Sequence, residues 1–207
     1  MKHVLLINGS PHKNGCTFTA LSEIAAQLEK NGVSSEIVSI GTGPVRGCIA
    51  CGGCRRKGEC VFGDDPANEI ARKLAEADGV IIGSPIYYAG PNGALLALLD
   101  RVFFSRSGAF DGKPGAAIVS CRRGGNSATF EAMNQFFGIN GMPTAPSTYW
   151  NDVHGYTAED VYADEEGVET VRNLAQNMIF LMRSIRAGKE QFGKPEVKHQ
   201  KFTHFVR

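Results

Sequence analysis

The join between the β-branched and leucine run of His3 to Ile7 and the polar, glycine-punctuated loop behind it most constrains how this chain can fold. A strand with one wet face alternates apolar and polar side chains. A strand that is apolar at successive positions has to be covered on both faces, which is the habit of parallel sheets. In VLLINGSPHKNGCT, residues 4–17, Gly9 and Gly15 allow a tight reversal, and a helix is expected to begin near Thr17. The first turn of such a helix presents unpaired backbone N–H groups and the positive end of the helix dipole. A phosphate held by Ser10, Asn14 and Thr17 would be stabilised there without a fixed cation. The alternative is a plain capped turn between strand and helix.

The loop narrows the class of phosphate. A Walker A loop needs Gly, four residues, then Gly-Lys-Ser/Thr; here Lys13 precedes Gly15, and Cys16 follows it. The dinucleotide pattern Gly-x-Gly-x-x-Gly is broken by Gly9-Ser10-Pro11, and Gly41-Thr42-Gly43-Pro44 leads into cysteines instead of a helix. What remains is a single phosphate monoester. Flavin mononucleotide (FMN) fits that description, although the loop by itself does not single it out.

Further along, strands and helices alternate. Phe18, Leu21, Ile24, Ala25 and Leu28 recur at helical spacing over Thr17 to Asn31, and Asn31-Gly32 stops that helix. Strands are expected over Val33 to Ile40, Asp78 to Ser84, Pro114 to Cys121 and Met142 to Trp150. Helices are expected from Asp65-Pro66, over Asn92 to Arg106, over Thr129 to Gly138, and along the stripe Val168, Val171, Leu174, Met178, Leu181, Met182 and Ile185. Asp64 and Asp65 read as helix caps sooner than as catalytic acids, since no other acid converges with them. With 207 residues the chain suits one three-layer α/β core. One domain is expected over residues 1–188, with a cysteine-rich loop at 41–64. Residues 189–207 are either a frayed tail or an arm that wraps a second subunit.

Charge and composition exclude several partners. A formal net charge of +1, from 22 basic and 21 acidic residues, supplies no field for nucleic acid or an anionic membrane. Apolar runs such as Ala94 to Leu99 fall far short of the roughly 20 residues that cross a bilayer. The N-terminus reads as a strand and not as a cleavable leader. Four of the six cysteines fall between positions 48 and 60, poorly arranged to staple distant parts of a fold. A reducing, cytoplasmic setting is expected.

Ligands of open parallel sheets bind beyond the carboxyl ends of the strands. Besides the phosphate loop, two such ends are informative: Ser84-Pro85-Ile86-Tyr87-Tyr88-Ala89-Gly90, and Ser120-Cys121-Arg122-Arg123-Gly124-Gly125-Asn126. Together they can cover a flat heterocycle and place positive charge beside one edge of it. GSPHKNGCT, SPIYYAG and SCRRGGN, in this order and separation, resemble the flavodoxin-like NADPH-dependent FMN reductase family over roughly residues 1–150. The resemblance implies a five-stranded parallel sheet in order 2-1-3-4-5 with helices on both faces. It also implies FMN bound without a covalent link, NAD(P)H as co-substrate, and a homodimer or homotetramer. Carried onto this chain, it assigns the cofactor to Ser10, His12, Asn14, Cys16 and Thr17, to Pro85, Ile86, Tyr87, Tyr88, Ala89 and Gly90, and to Ser120, Arg123, Gly124 and Gly125. Tyr87 and Tyr88 would shape and stack on the ring, and Arg123 would offset negative charge on its reduced form. Against this stand wall packing for the tyrosines and a surface salt bridge for the arginine. Two positions depart from the family pattern: Cys16, where Asn or Ser is more usual, and Pro91-Asn92-Gly93, where serines more often begin the helix.

Cys48, Cys51, Cys54 and Cys60 follow the spacing Cys-x2-Cys-x2-Cys-x5-Cys. Compact spacing with glycines lets four thiolates surround one iron–sulfur centre, whereas zinc prefers two separated pairs. Arg55, Arg56 and Lys57, within the same loop, would offset the charge of such a centre. Free thiols in a mobile loop are the competing account. The spacing also resembles that of iron–sulfur flavoproteins, in which a 4Fe-4S cluster exchanges electrons with FMN. Three functions follow. NAD(P)H could reduce bound FMN, which then reduces a small-molecule acceptor such as a quinone or free flavin. Alternatively, cluster and flavin relay electrons to a ferredoxin-like protein, or the flavin serves an interaction protein with incidental redox activity. The segment Trp150 to Tyr162 reads equally as core or as lid.

Overall fold

The opening run lies at the heart of the molecule. In the computed structural model, which describes residues 3–196, His3–Asn8 forms β1, parallel to β2 (Ser34–Ser39) on one side and to β3 (Gly79–Tyr87) on the other. Beyond β3 lie β5 (Gly115–Cys121) and β6 (Asp152–His154), giving the order β2-β1-β3-β5-β6. A two-residue strand, β4 (Gly90–Pro91), folds back antiparallel on β3. With β4 set aside, this is the expected order 2-1-3-4-5.

Side-chain alternation along β1 feeds two separate cores. Val4 and Leu6 pack with α1 (Cys16–Lys30) and with α6 (Glu165–Phe192) through Leu21, Ile24, Val171 and Leu174. Leu5 and Ile7 face the opposite layer, built from α3 (Ala67–Glu76), α4 (Gly93–Ser105) and α5 (Asn126–Ile139), where Ile70, Leu98 and Phe137 meet them. Burial on both faces is therefore what the uninterrupted run encodes. A one-turn helix, α2 (Cys54–Lys57), stands in the long connection after β2, and a 3-10 turn covers Glu159–Ala163.

The last strand differs from expectation. Met142 to Trp150 contributes only a bridge between Thr144 and Gly115, and regular pairing resumes at Asp152. Pro143 and Pro146 lack the N–H groups a ladder needs, and the Pro146 carbonyl accepts a 2.9 Å hydrogen bond from Asn177 on α6 instead. The last helix runs on to Phe192, past the expected boundary at 188. Most of the proposed tail, residues 197–207, lies outside the described residues. Among those described, no helix is long and apolar enough to cross a membrane.

Candidate functional site

Close packing of backbone fixes the loop after β1. The Gly9 N–H donates to the Gly83 carbonyl at 2.8 Å, and a Cβ on Gly9 would stand 2.6 Å from that oxygen and collide with Leu95. Asn92 fastens the other side: its amide donates to the Gly9 carbonyl at 2.7 Å, while its Oδ1 caps α4 by accepting from the Ala94 N–H. Pro91-Asn92-Gly93 thus does the capping expected of serines. Within the loop, Asn8 Oδ1 accepts from the Ser10 N–H, and Ser10 Oγ from the His12 N–H, both at 3.1 Å. Gly15, at the N-cap of α1, brings no side chain to the helix end, so the first N–H groups face outward for an anion.

The other two strand ends close around this point. The Thr17 and Ser120 hydroxyls share a hydrogen bond of 2.8 Å. Tyr88 and Ala89, at φ 50° and 61°, turn the chain between β3 and β4. Left-handed backbone at two residues with side chains costs about 1–2 kcal/mol each. Gly125 sits under this turn at φ 93°, where a Cβ would come within 2.7 Å of the Ala89 Cα. The second and third loops are thereby packed against each other.

A cleft of about 560 Å³ opens between the three loops, within the roughly 300–1,000 Å³ of cofactor pockets. Of the residues expected there, Ser10, His12, Cys16, Thr17, Pro85, Ile86, Tyr87 and Ser120 line it. Asn14, Tyr88, Ala89, Gly90, Arg123, Gly124 and Gly125 lie outside the lining, and Tyr88 is fully exposed. Arg122, not Arg123, is the arginine on the wall. Gly155 to Ala158 close the far side, so part of Trp150 to Tyr162 does belong to the cleft. Burial pushes the Cys16, Cys121 and Tyr87 groups up from their ordinary values, against the Ser10 hydrogen bond in the case of Tyr87. They stay neutral, and the phosphate end of the cleft gains no fixed negative charge from them. A larger cleft, about 830 Å³, lies at the opposite ends of the strands, away from where parallel sheets place their chemistry.

Cys48, Cys51, Cys54 and Cys60 line a second, separate pocket, walled by Ile49, Val61, Phe62, Phe104 and Arg101. None of the six cysteines is in a disulfide. Among the described residues no three His, Cys, Asp or Glu side chains are grouped for one metal ion. A tetrahedral zinc with bonds of about 2.3 Å requires such a grouping, whereas a polynuclear cluster spreads its ligands around its own body. Free space among the cysteines is about 20 Å³, so the fit to a cluster is one of donor chemistry and placement: four thiols, no carboxylate, apolar walls. Arg55, Arg56 and Lys57 are exposed and do not line this pocket. Its cation is Arg101, which the sequence reading missed; the available signal was a charge inside the apolar run ALLALLDRVFF.

The family described as NADPH-dependent FMN reductase matches residues 2–157. The chain belongs to that family. This FMN reductase family member is 33% identical over 193 residues to an iron-sulfur flavoprotein of Methanocaldococcus jannaschii, covering 88% of the chain and 98% of the relative. It is 28% identical over 190 residues to the iron-sulfur flavoprotein of Methanosarcina thermophila, covering 89% and 97%. Among solved structures, RosB bound to the intermediate 8-demethyl-8-formylriboflavin-5'-phosphate superposes with a TM-score of 0.69 at 14% identity, over 98% of this chain and 92% of that one. The fold is flavodoxin-like, and the FMN reductase family makes the chain a flavoprotein oxidoreductase.

Proposed function

We propose that the protein is an iron–sulfur flavoprotein, with FMN in the cleft at the strand ends and a four-iron cluster held by Cys48, Cys51, Cys54 and Cys60. The reading rests on one observation: all four cysteines, and no other metal-ligating side chain, line a single pocket. The full-length relatives named iron-sulfur flavoproteins support it. When bound, FMN supplies chemistry in steps of one or two electrons and the cluster supplies single electrons, so the pair suits traffic with a one-electron protein carrier.

The chain's own part is to bind and to shape. The N–H groups at the start of α1 and the hydroxyls of Ser10 and Thr17 receive the phosphate. Ile86 and Tyr87 form a wall for the ring, and Gly155 to Ala158 exclude water from the opposite side. Arg122, on the wall of the cleft, would offset negative charge on a reduced flavin. The sulfurs of the cysteine pocket lie against the second half of α4, while Asn92 at its start holds the flavin loop. The breadth of the cleft favours a second reading, direct reduction by NADH or NADPH with a quinone or free flavin as acceptor.

Anaerobic purification followed by iron, sulfide and flavin assay is the test. The expected result is four iron and four sulfide per flavin, with reduction by a ferredoxin outpacing reduction by either pyridine nucleotide. Flavin without iron, bleached rapidly by NADPH or NADH, would instead establish the second reading.

A further inference from the structure

Among the described residues Arg101 is the largest side chain that is fully buried, with 1% of it exposed. It projects from α4 beside Leu98 and Val102, where an aliphatic side chain would pack at no electrostatic cost. Everything it touches with its guanidinium belongs to the connection between β2 and α3. Nε donates to Cys60 Sγ at 3.2 Å; Nη1 donates to the Arg46 carbonyl at 3.2 Å and to the Asp65 carboxylate; Nη2 donates to the Phe62 carbonyl at 3.1 Å. The Phe62 ring lies 5.5 Å from its charge centre.

We propose that Arg101 is a positioning residue of the cysteine site: where Asn68 holds the Cys60 backbone, Arg101 holds its sulfur and, through its Nε–H, stabilises negative charge there. Asp65 cancels the long-range field of the guanidinium and leaves the short-range bond to Cys60. The inference rests on the cluster reading above. One electron delivered to a thiolate-bound centre adds one negative charge, which hydrogen bonds to its sulfurs stabilise. Arg101 therefore raises the midpoint potential of the centre.

The experiment is an anaerobic dithionite titration of the purified flavoprotein and two variants, with iron content and flavin potential measured on the same samples. Arg101→Lys keeps a cation but loses the Nε–H. Arg101→Met combined with Asp65→Asn removes both buried charges, so that no orphaned carboxylate unfolds the chain. In both, the potential of the centre is expected to fall by about 59 mV or more, a tenfold change for one electron, or the iron to be lost. The flavin potential should not move. Wild-type potential and full iron in both variants would overturn the inference alone. Wild-type protein devoid of iron and sulfide would overturn the cluster reading and the inference with it.

Discussion

The cleft at the strand ends and the cysteine pocket are positioned by different means. Backbone makes the cleft: three strand ends, the contact of Gly9 with Gly83, and Gly125 under the Tyr88-Ala89 turn. Side chains from two helices secure the cysteine pocket: Arg101 on α4 binds Arg46, Cys60, Phe62 and Asp65, and Asn68 on α3 holds the backbone of Cys60 and Phe62. A site built from strand ends comes with the topology and tolerates changes among the side chains that line it. A site hung from a few side chains depends on each of them, and Arg101 is the one that reaches a cysteine sulfur. Damage at either place should therefore stay there.

The largest effect should come from Arg101→Met alone. It leaves the Asp65 carboxylate, 1% exposed, without its partner, at a cost of about 3–5 kcal/mol, read by urea unfolding. Burial by itself would raise the Asp65 pKa, but hydrogen bonds from Arg101 and from the Ala67 and Arg46 N–H groups hold it below the usual 3.8. A carboxyl lowered in this way contributes stability that is complete above pH 3.8 and lost as pH falls below it. The wild-type advantage over the variant should shrink across that acid range. An equal loss of FMN affinity at neutral pH in the folded variant would break the contrast between the sites.

Next in size is Gly9→Ala. Its methyl group would be forced against Leu95 and the Gly83 carbonyl, costing about 1–3 kcal/mol. Purified protein should carry less flavin, while its iron content per chain stays at the wild-type level. The smallest effect separates the two neighbouring arginines. Arg122→Ala should weaken FMN binding by about 0.5–1 kcal/mol, as for a solvent-exposed charge, and Arg123→Ala by less, as measured by fluorescence quenching on reconstitution. A larger effect from Arg123 would place the wrong residue on the wall.

Much of the cleft was legible because its determinants are local. Strand, glycine and helix start follow one another within residues 3–17, and SPIYYAG and SCRRGGN sit directly on strand ends. The last strand was misplaced, since apolar content masked the two prolines that deprive it of donors. Choosing between Arg122 and Arg123 needed the register of β5, in which Cys121 pairs with His154. Arg101 was hidden for a different reason. An arginine on an amphipathic helix reads as solvated unless the segment folded over it is known, and that segment lies 36 to 55 residues away in the chain. Arg55, Arg56 and Lys57 drew attention as the nearest cations in sequence, yet they point outward.

That separation also imposes an order in time. Arg101 cannot gather its partners until α4 has docked on the sheet, and α4 is anchored at Asn92 to the loop after β1. Closing such a loop in an unfolded chain carries an entropic cost, slow to grow with length, which the contacts of the docked α4 help to offset. Maturation would then proceed from the inside outward, with the sheet and its helices complete before inorganic iron and sulfide are taken up. In a small zinc domain the metal drives folding; here the folded body would be the assembly platform.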